Sequence, residues 1–311
     1  MRLVFLGTPA FAVPTLERMV EAGHRVLAVV TQPDRPRGRG QHPSPPPVKE
    51  AAARLGLPVF QPERVRLPEA VEFLRVQEAE AMVVVGYGQI IPQTVIDLAP
   101  LGIVNVHASL LPKYRGAGPI QWAILNGETR TGVTTMRIDA GLDTGDMLLK
   151  SWTEIGPDEN GIELGQRLAA MGADLLVETL AAMAAGAIVA EKQDSSQATY
   201  ARLLKKEDGM LDWSLPAPAI HNRVRGLQPW PGAYTTFRGQ TLHLWKSRLA
   251  PPPVNPLPGP FASVKPLVVN CGSGALELIE VQLEGRKRIS SADFANGRRL
   301  TENENMGGPT L

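Results

Sequence analysis

Asn105-Val106-His107-Ala108-Ser109-Leu110-Leu111-Pro112 closes an apolar run that starts at Gly102, and its alternation decides how the first half of the chain folds. In a strand, successive side chains alternate faces, so Asn105 and His107 share one face while Val104 and Val106 share the other. A neutral amide donor then stands beside an imidazole that changes charge near neutral pH, the pairing needed to polarise a carbonyl and move its proton. Downstream, Gly141-Leu142-Asp143-Thr144-Gly145-Asp146 sets carboxylates on a glycine-punctuated loop, where one of them can orient or charge-pair the histidine. A lone histidine beside an apolar strand is most often a hydrogen-bonded structural residue. The expectation of a site rests on Asn105, His107 and Asp143 together, at the loop ends of two strands of a parallel sheet, where α/β proteins bind ligands.

Outward from this stretch, short apolar runs alternate with helical patterns, which predicts βαβ units and a parallel sheet. The strands are expected at Arg2 to Leu6, Arg25 to Thr31, Ala81 to Val85, Gly102 to His107 and Thr134 to Ile138. The helices are expected at Phe11 to Ala22, Pro47 to Leu55, Pro68 to Gln77, Pro119 to Asn126 and Asn160 to Ala184. After residue 189 the texture changes. Glu191 to Asp208 is polar and weakly periodic and reads as a linker. Short β-like runs follow at Ala233 to Phe237, Thr241 to Leu249, Leu267 to Cys271 and Leu276 to Leu283, a spacing that predicts a small barrel or sandwich. The expected division is therefore 1–189, a linker at 190–209, and a C-terminal domain at 210–311.

The 311 residues, 43% of them hydrophobic, suffice for a sizeable core. No apolar run reaches a membrane span of roughly 18 residues, so a cytoplasmic protein with no membrane partner is expected. Cys271 is the single cysteine, which excludes an internal disulfide, and the five histidines are scattered without metal-ligand spacing, so no metal is expected. The net charge is +1, with 21 basic against 24 acidic residues up to position 209 and 11 against 7 beyond it. The basic C-terminal part fits a phosphate-bearing partner, although a solvated surface is the commoner meaning of so small an excess.

Three loops extend the candidate site. Gly7-Thr8-Pro9-Ala10 lacks the later glycines of a dinucleotide fingerprint, and Pro9 removes an amide, which argues against a nicotinamide or flavin. Gly86-Tyr87-Gly88-Gln89-Ile90 follows another strand end, where small residues let a flat ligand approach the backbone; turn geometry alone also explains its glycines. Thr31 to His42 holds Arg35, Arg37 and Arg39 among glycines and prolines, either a surface connection or a clamp for phosphates or an extended acceptor end. Lys113 and Arg115 can meet an acidic tail or a phosphate, or serve as ordinary surface charges.

Taken together, NVHASLLPKYRGAGPIQWAI (105–124), GLDTGDML (141–148), TQPDRPRGRG (31–40) and Gln228-Pro229-Trp230-Pro231 resemble the methionyl-tRNA formyltransferases, from the first strand to Arg299. The Asn-x-His-x-Ser-Leu-Leu-Pro stretch with the downstream Asp is shared by folate-dependent formyltransferases at large. The arginine loop, Leu211-Asp212-Trp213, the Trp230 region and Ser290 to Arg299 resemble the tRNA-modifying branch. The resemblance implies a Rossmann-like formyltransferase domain followed by an OB-like β-barrel that binds tRNA. It further implies 10-formyltetrahydrofolate as formyl-donor substrate and the amine of initiator methionyl-tRNA as acceptor, serving translation initiation. It maps catalysis onto Asn105, His107 and Asp143, and the folate pocket onto Ser109, Leu110, Leu111 and Pro112, to which Gly86, Tyr87, Gly88, Gln89 and Ile90 are added as the neighbouring strand end. The tRNA is assigned to Arg35, Arg37, Arg39, Arg286, Lys287 and Arg288. The chain departs from the family at Gln41-His42, where a basic pair can stand, and at 301–311, which lacks the usual closing pattern.

On this reading Asn105 and His107 stabilise the oxyanion of direct formyl transfer, His107 relays a proton, and Asp143 orients it and favours its charged form. The rival readings are an amino sugar nucleotide formyltransferase, a formyltetrahydrofolate hydrolase, or a non-catalytic RNA-binding protein. The first two leave the arginine loop and the basic C-terminal part without a task, and the last has no need of the Asn–His–Asp set. DNA is not an expected partner.

Overall fold

Leu3 to Leu6 and Ala81 to Val85 are buried along their whole length, as strands covered on both faces must be. The computed structural model describes residues 1–37, 42–251, 259–302 and 304–307. It divides into two compact units. The first comprises Met1–Gly116, Thr131–Thr153 and Gly165–Tyr200; the second comprises Ala117–Arg130, Glu154–Leu164 and Ala201–Leu311.

The strands bearing the first unit are β1 (Arg2–Gly7), β2 (Arg25–Val30), β3 (Arg35–Arg37), β4 (His42–Ser44), β5 (Val59–Phe60), β6 (Ala81–Val85), β7 (Ile103–His107), β8 (Arg130–Arg137) and β9 (Met147–Glu154). The helices are α1 (Val13–Glu21), α2 (Pro47–Arg54), α3 (Pro68–Arg75) and α4 (Gln93–Ile96), with α5 (Pro119–Leu125) in the second unit and α6 (Gly161–Ala184) entering the first from Gly165. Proline in the first turn of α1, α2, α3 and α5 costs no hydrogen bond there and sets φ for the helix. Seven strands form one sheet in the order β5-β2-β1-β6-β7-β8-β9, and β1, β2, β5, β6 and β7 pair in parallel. The order reverses between β1 and β6, opening a crevice at their carboxyl ends.

The expected strands and helices all form, with ends shifted by a few residues, but the direction of β8 differs from expectation. It runs antiparallel to β7, with His107 opposite Thr134 and Val104 opposite Arg137. Asp143 therefore does not follow a parallel strand end. It lies on the connection from β8 to β9, which folds back toward β7. β9 itself was not anticipated; beyond its first two residues it is alternately half-exposed and exposed. Glu191 bridges Met147 and Tyr200 bridges Arg115, so the stretch read as a linker is hydrogen-bonded to the first unit as far as Tyr200.

The second unit is built on β10 (Ala233–Phe237), β11 (Gln240–Ala250), β12 (Phe261–Val264), β13 (Leu267–Asn270), β14 (Ala275–Leu283) and β15 (Ile289–Ser290), with α7 (Ala217–Gly226) and α8 (Ser291–Arg298). Its antiparallel sheet has the order β10-β11-β14-β13-β12, with β15 against β14. Trp213, Ile220, Phe237, Leu244, Val269, Leu278 and Phe294 fill its core. Cys271 is buried in this core, and burial pushes its thiol up to about 11, which makes it a packing residue.

Two expectations follow. Gly172 of α6 lies against the face of β7 opposite Asn105 and His107: a Cβ there would stand 2.7 Å from Val106 and 3.2 Å from Val133. Gly172→Val should destabilise the first unit by about 1–3 kcal/mol in urea unfolding, because overpacking forces β7 to shift. In the second unit His221 is 7% exposed, its Nδ1 3.0 Å from Ser247 Oγ and its Nε2 3.2 Å from the Pro157 carbonyl. Burial lowers its pKa, outweighing the bond to Pro157 that raises it. The neutral form is thus favoured on folding, so the contribution is present above the unfolded value of about 6.5 and is lost as pH falls through the lower folded value. The stability advantage of wild type over His221→Gln should shrink from pH 7 to pH 5.

Candidate active site

β7 delivers two polar side chains on one face, as its alternation dictates. Asn105 is 9% exposed and His107 6%, and both turn toward Asp143. Asn105 Nδ2 lies 3.4 Å from Asp143 Oδ1, and His107 Nδ1 lies 3.6 Å from Asp143 Oδ2. The other ring nitrogen, Nε2, is 2.9 Å from the Tyr114 carbonyl. A carbonyl oxygen can only accept, so Nε2 carries a hydrogen and Nδ1 is the nitrogen that gains or loses the mobile proton. Protonated there, the ring is an imidazolium directly facing a carboxylate. Asn105 Nδ2 has two hydrogens, so engagement of one by Asp143 leaves a second donor for an oxygen atom of a ligand.

The carboxylate is placed by its loop. Asp143 adopts a left-handed backbone conformation, φ 51°, which aspartate tolerates better than most residues. Asp139 braces the turn by accepting from the Gly141 N–H at 3.0 Å and the Thr144 hydroxyl at 2.7 Å. The Gly116 N–H donates to Asp143 Oδ2 at 2.8 Å, and Gln193 Nε2 donates to the carbonyls of Asp143 and Gly145, each at 2.8 Å. Tyr114, whose carbonyl holds the histidine, is also left-handed at φ 62°.

The Ser109 to Pro112 loop is braced internally. Ser109 Oγ donates to the Lys113 carbonyl at 2.6 Å, and Thr134 Oγ1 donates to the Ser109 carbonyl at 2.7 Å while accepting from the Leu111 N–H at 3.2 Å. Leu111 is buried and Leu110 half-buried. The second loop begins at the carboxyl end of β6, beside the crevice. Gly86 has φ 56°, and a Cβ would meet Pro9 at 2.9 Å, so close backbone approach requires glycine there; Gly88 is also left-handed, at φ 84°. The Tyr87 carbonyl accepts from Thr8 Oγ1 at 3.0 Å and Gln32 Nε2 at 3.2 Å, tying β6 to β1 and β2. The Tyr87 ring belongs to the apolar core, where burial pushes the phenol up to about 12. Gln89 spends its amide on the Val65 N–H and the Glu63 carbonyl. Ile90 stands 90% exposed.

Of the six basic residues expected at tRNA, Arg35 is exposed on the β3–β4 hairpin and Arg37 pairs with His42 in its backbone register, whereas Arg39 lies outside the described residues. Asp34, at the base of the hairpin, accepts from Gln61 and Lys49, which together lower its pKa. Arg286, Lys287 and Arg288 are exposed, with the Arg288 guanidinium 4.0 Å over the Trp245 ring. Arg115 corrects its reading as a residue for phosphates: it is 2% exposed and turned inward onto Gln193. Gln193, Thr134 and Thr199 support the site but escaped the sequence reading. Thr199 holds the tripeptide 114–116, its Oγ1 2.8 Å from the Tyr114 N–H and its carbonyl 2.8 Å from the Arg115 N–H. No local signal marked Gln193 or Thr199, which sit in a weakly periodic polar stretch. Among the described residues no group of three His, Cys, Asp or Glu side chains is arranged to hold a metal ion, and no helix is long and apolar enough to cross a membrane.

Residues 1–180 match the formyl transferase family and residues 203–299 the formyl transferase C-terminal domain. The chain is 75% identical to the methionyl-tRNA formyltransferase of Solibacter usitatus over 307 residues, covering 99% of both chains. It is 50% identical to that of Geobacter metallireducens, again covering 99% of each. The chain belongs to the methionyl-tRNA formyltransferases. Solved structures agree on the fold. The methionyl-tRNA formyltransferase from Clostridium thermocellum superposes with a TM-score of 0.56 at 16% identity, covering 80% of this chain and 94% of that one. An N-formyltransferase from Helicobacter canadensis, in complex with folinic acid and dTDP-3-aminofucose, superposes with a TM-score of 0.66 at 18% identity, covering 89% and 98%. A Rossmann-like sheet and a second, antiparallel sheet accord with the two family matches.

If Asn105, His107 and Asp143 act on the reacting atoms, their removal must weaken the transition state more than the ground state. Asn105→Ala should lower kcat by about 10²- to 10³-fold, the usual cost of one oxyanion donor, with little change in folate affinity. Near-normal turnover of folded Asn105→Ala would remove the assignment.

Proposed function

We propose that this chain transfers the formyl group of 10-formyltetrahydrofolate to the α-amine of methionine esterified to initiator tRNA, in the cytoplasm, for translation initiation. The observation that carries the reading is the convergence of Asn105, His107 and Asp143 in a chain 75% identical to a methionyl-tRNA formyltransferase. The uncharged amine attacks the formyl carbon and a new C–N bond forms. Negative charge develops on the formyl oxygen, where Asn105 Nδ2 and the protonated His107 stabilise it. As the bond from the formyl carbon to the folate nitrogen breaks, that nitrogen takes up a proton while the attacking amine gives one up. His107 exchanges these protons through Nδ1, the same nitrogen that faces the Asp143 carboxylate at 3.6 Å, whose charge balances the imidazolium.

The donor would occupy the pocket between 86–90 and 109–112, at neighbouring strand ends of β6 and β7. Because the Tyr87 ring and the Gln89 amide are engaged within the protein, the backbone of 86–90 is the part available to a flat ligand. The tRNA would be gripped by the arginine loop with Arg35, Arg37 and Arg39, and through phosphates by the second unit with Arg286, Lys287 and Arg288.

Formylation of charged initiator tRNA, dependent on 10-formyltetrahydrofolate, tests the whole reading. Formylation of a nucleotide-linked amino sugar in its place, or mere release of formate, would replace it. Arg39→Ala should slow formylation at subsaturating tRNA while leaving folate affinity intact, and a wild-type rate under those conditions would remove the loop from the acceptor. A folate analogue should protect 86–90 and 109–112 in hydrogen exchange.

A further inference from the structure

One short segment holds both members of the His–Asp pair. The Tyr114 carbonyl accepts from His107 Nε2, and the Gly116 N–H donates to the Asp143 carboxylate. Arg115, between them, faces the other way. Its Nε and Nη2 converge on Gln193 Oε1 at 3.0 and 2.9 Å, and Nη2 also lies 3.5 Å from Ser195 Oγ. The amide nitrogen of the same glutamine donates to the main chain of Asp143 and Gly145. Asp143 is therefore gripped twice: at its carboxylate by the backbone next to Arg115, and at its own backbone by the side chain that Arg115 holds.

We propose that Arg115 and Gln193 form a latch that positions Asp143 against His107, making Gln193 a positioning residue for the reaction. A buried guanidinium closing on a neutral amide oxygen polarises that amide, and chains of such bonds strengthen one another, so Gln193 becomes a better donor to the Asp143 and Gly145 carbonyls. The loop it holds needs this support, because Asp143 sits in a left-handed conformation that surrounding bonds must impose. Oxygen and nitrogen of Gln193 have separate tasks, and a carboxylate in its place retains one and forfeits the other. Glutamate still accepts from Arg115 but offers oxygen to two carbonyl oxygens, which repels the loop.

The catalytic consequence rests on the proposed role of Asp143, so the test reads position and turnover separately. Gln193→Glu and Gln193→Met are compared with wild type, each checked for folding by thermal unfolding. Amide exchange at Gly116, whose N–H is bonded to the Asp143 carboxylate, reports where the carboxylate lies. Turnover is followed with charged initiator tRNA and 10-formyltetrahydrofolate. The expected result is faster Gly116 exchange in both variants, with kcat lowered about 10- to 100-fold, the scale of a misplacement near 1 Å, and the folate KM within about twofold of wild type. Unchanged Gly116 exchange in the folded variants overturns the latch, whatever happens to turnover. Faster exchange with wild-type kcat overturns its catalytic role. Should wild type itself formylate no tRNA, the proposed function fails, and the exchange measurement alone decides whether Gln193 positions Asp143. If Gln193→Glu does not fold, Gln193→Met decides on the same criteria.

Discussion

The separation of 3.6 Å between His107 Nδ1 and Asp143 Oδ2 is the constraint on which the rest of the first unit turns. The two residues come from elements of opposite character. His107 sits on a buried strand whose position is set by packing on both faces. Asp143 sits on a surface loop that packing alone would leave free to move, since loops carry few apolar contacts of their own. A carboxylate on such a loop becomes a reliable partner only when hydrogen bonds replace the missing packing. Asp139 braces the turn from within, and Gly116 and Gln193 tie it to the unit from two sides.

Polar satisfaction explains which groups remain for chemistry. Ser109, Thr134 and Gln89 all lie near the strand ends, and each spends its hydrogen-bonding capacity on neighbouring backbone. Buried polar groups without partners are costly, so loops that line a pocket must settle their own backbone first. On β7 itself, what remains turned toward Asp143 is the Asn105 amide with its second hydrogen and the Nδ1 nitrogen of His107. Nε2 is already committed to Tyr114. The bond to Tyr114 leaves Nδ1 as the one ring nitrogen of His107 not taken by a main-chain carbonyl.

Much of this was legible in the chain. Period-two alternation placed Asn105 and His107 on one face because strand geometry depends on local spacing alone. The helices expected from Pro47, Pro68 and Pro119 do begin at those prolines, because a proline in the first turn costs no hydrogen bond. The direction of β8 was not legible: Thr134 to Ile138 reads as a buried strand whether it pairs parallel or antiparallel, since both demand the same apolar residues. The support from Gln193 and Thr199 was equally silent. Glutamine and threonine in a polar stretch look the same whether they face solvent or the backbone of a distant loop.

Local pattern and residue chemistry by themselves determined the order of elements, the α/β class of the first half, the β-rich second half, and the shared strand face of Asn105 and His107. These follow from forces acting over a few residues, and the sequence records such forces directly. Tertiary structure alone decided that β8 turns back along β7, that Asp143 reaches the histidine by a folded-back loop, and that Arg115 points inward to Gln193. Each of these joins residues distant in the chain, and main-chain atoms take part in the β7–β8 ladder and in the bonds that hold the Asp143 carboxylate and the Gln193 amide. Main-chain donors and acceptors are common to nearly every residue. No side-chain pattern can announce which of them a distant glutamine will find.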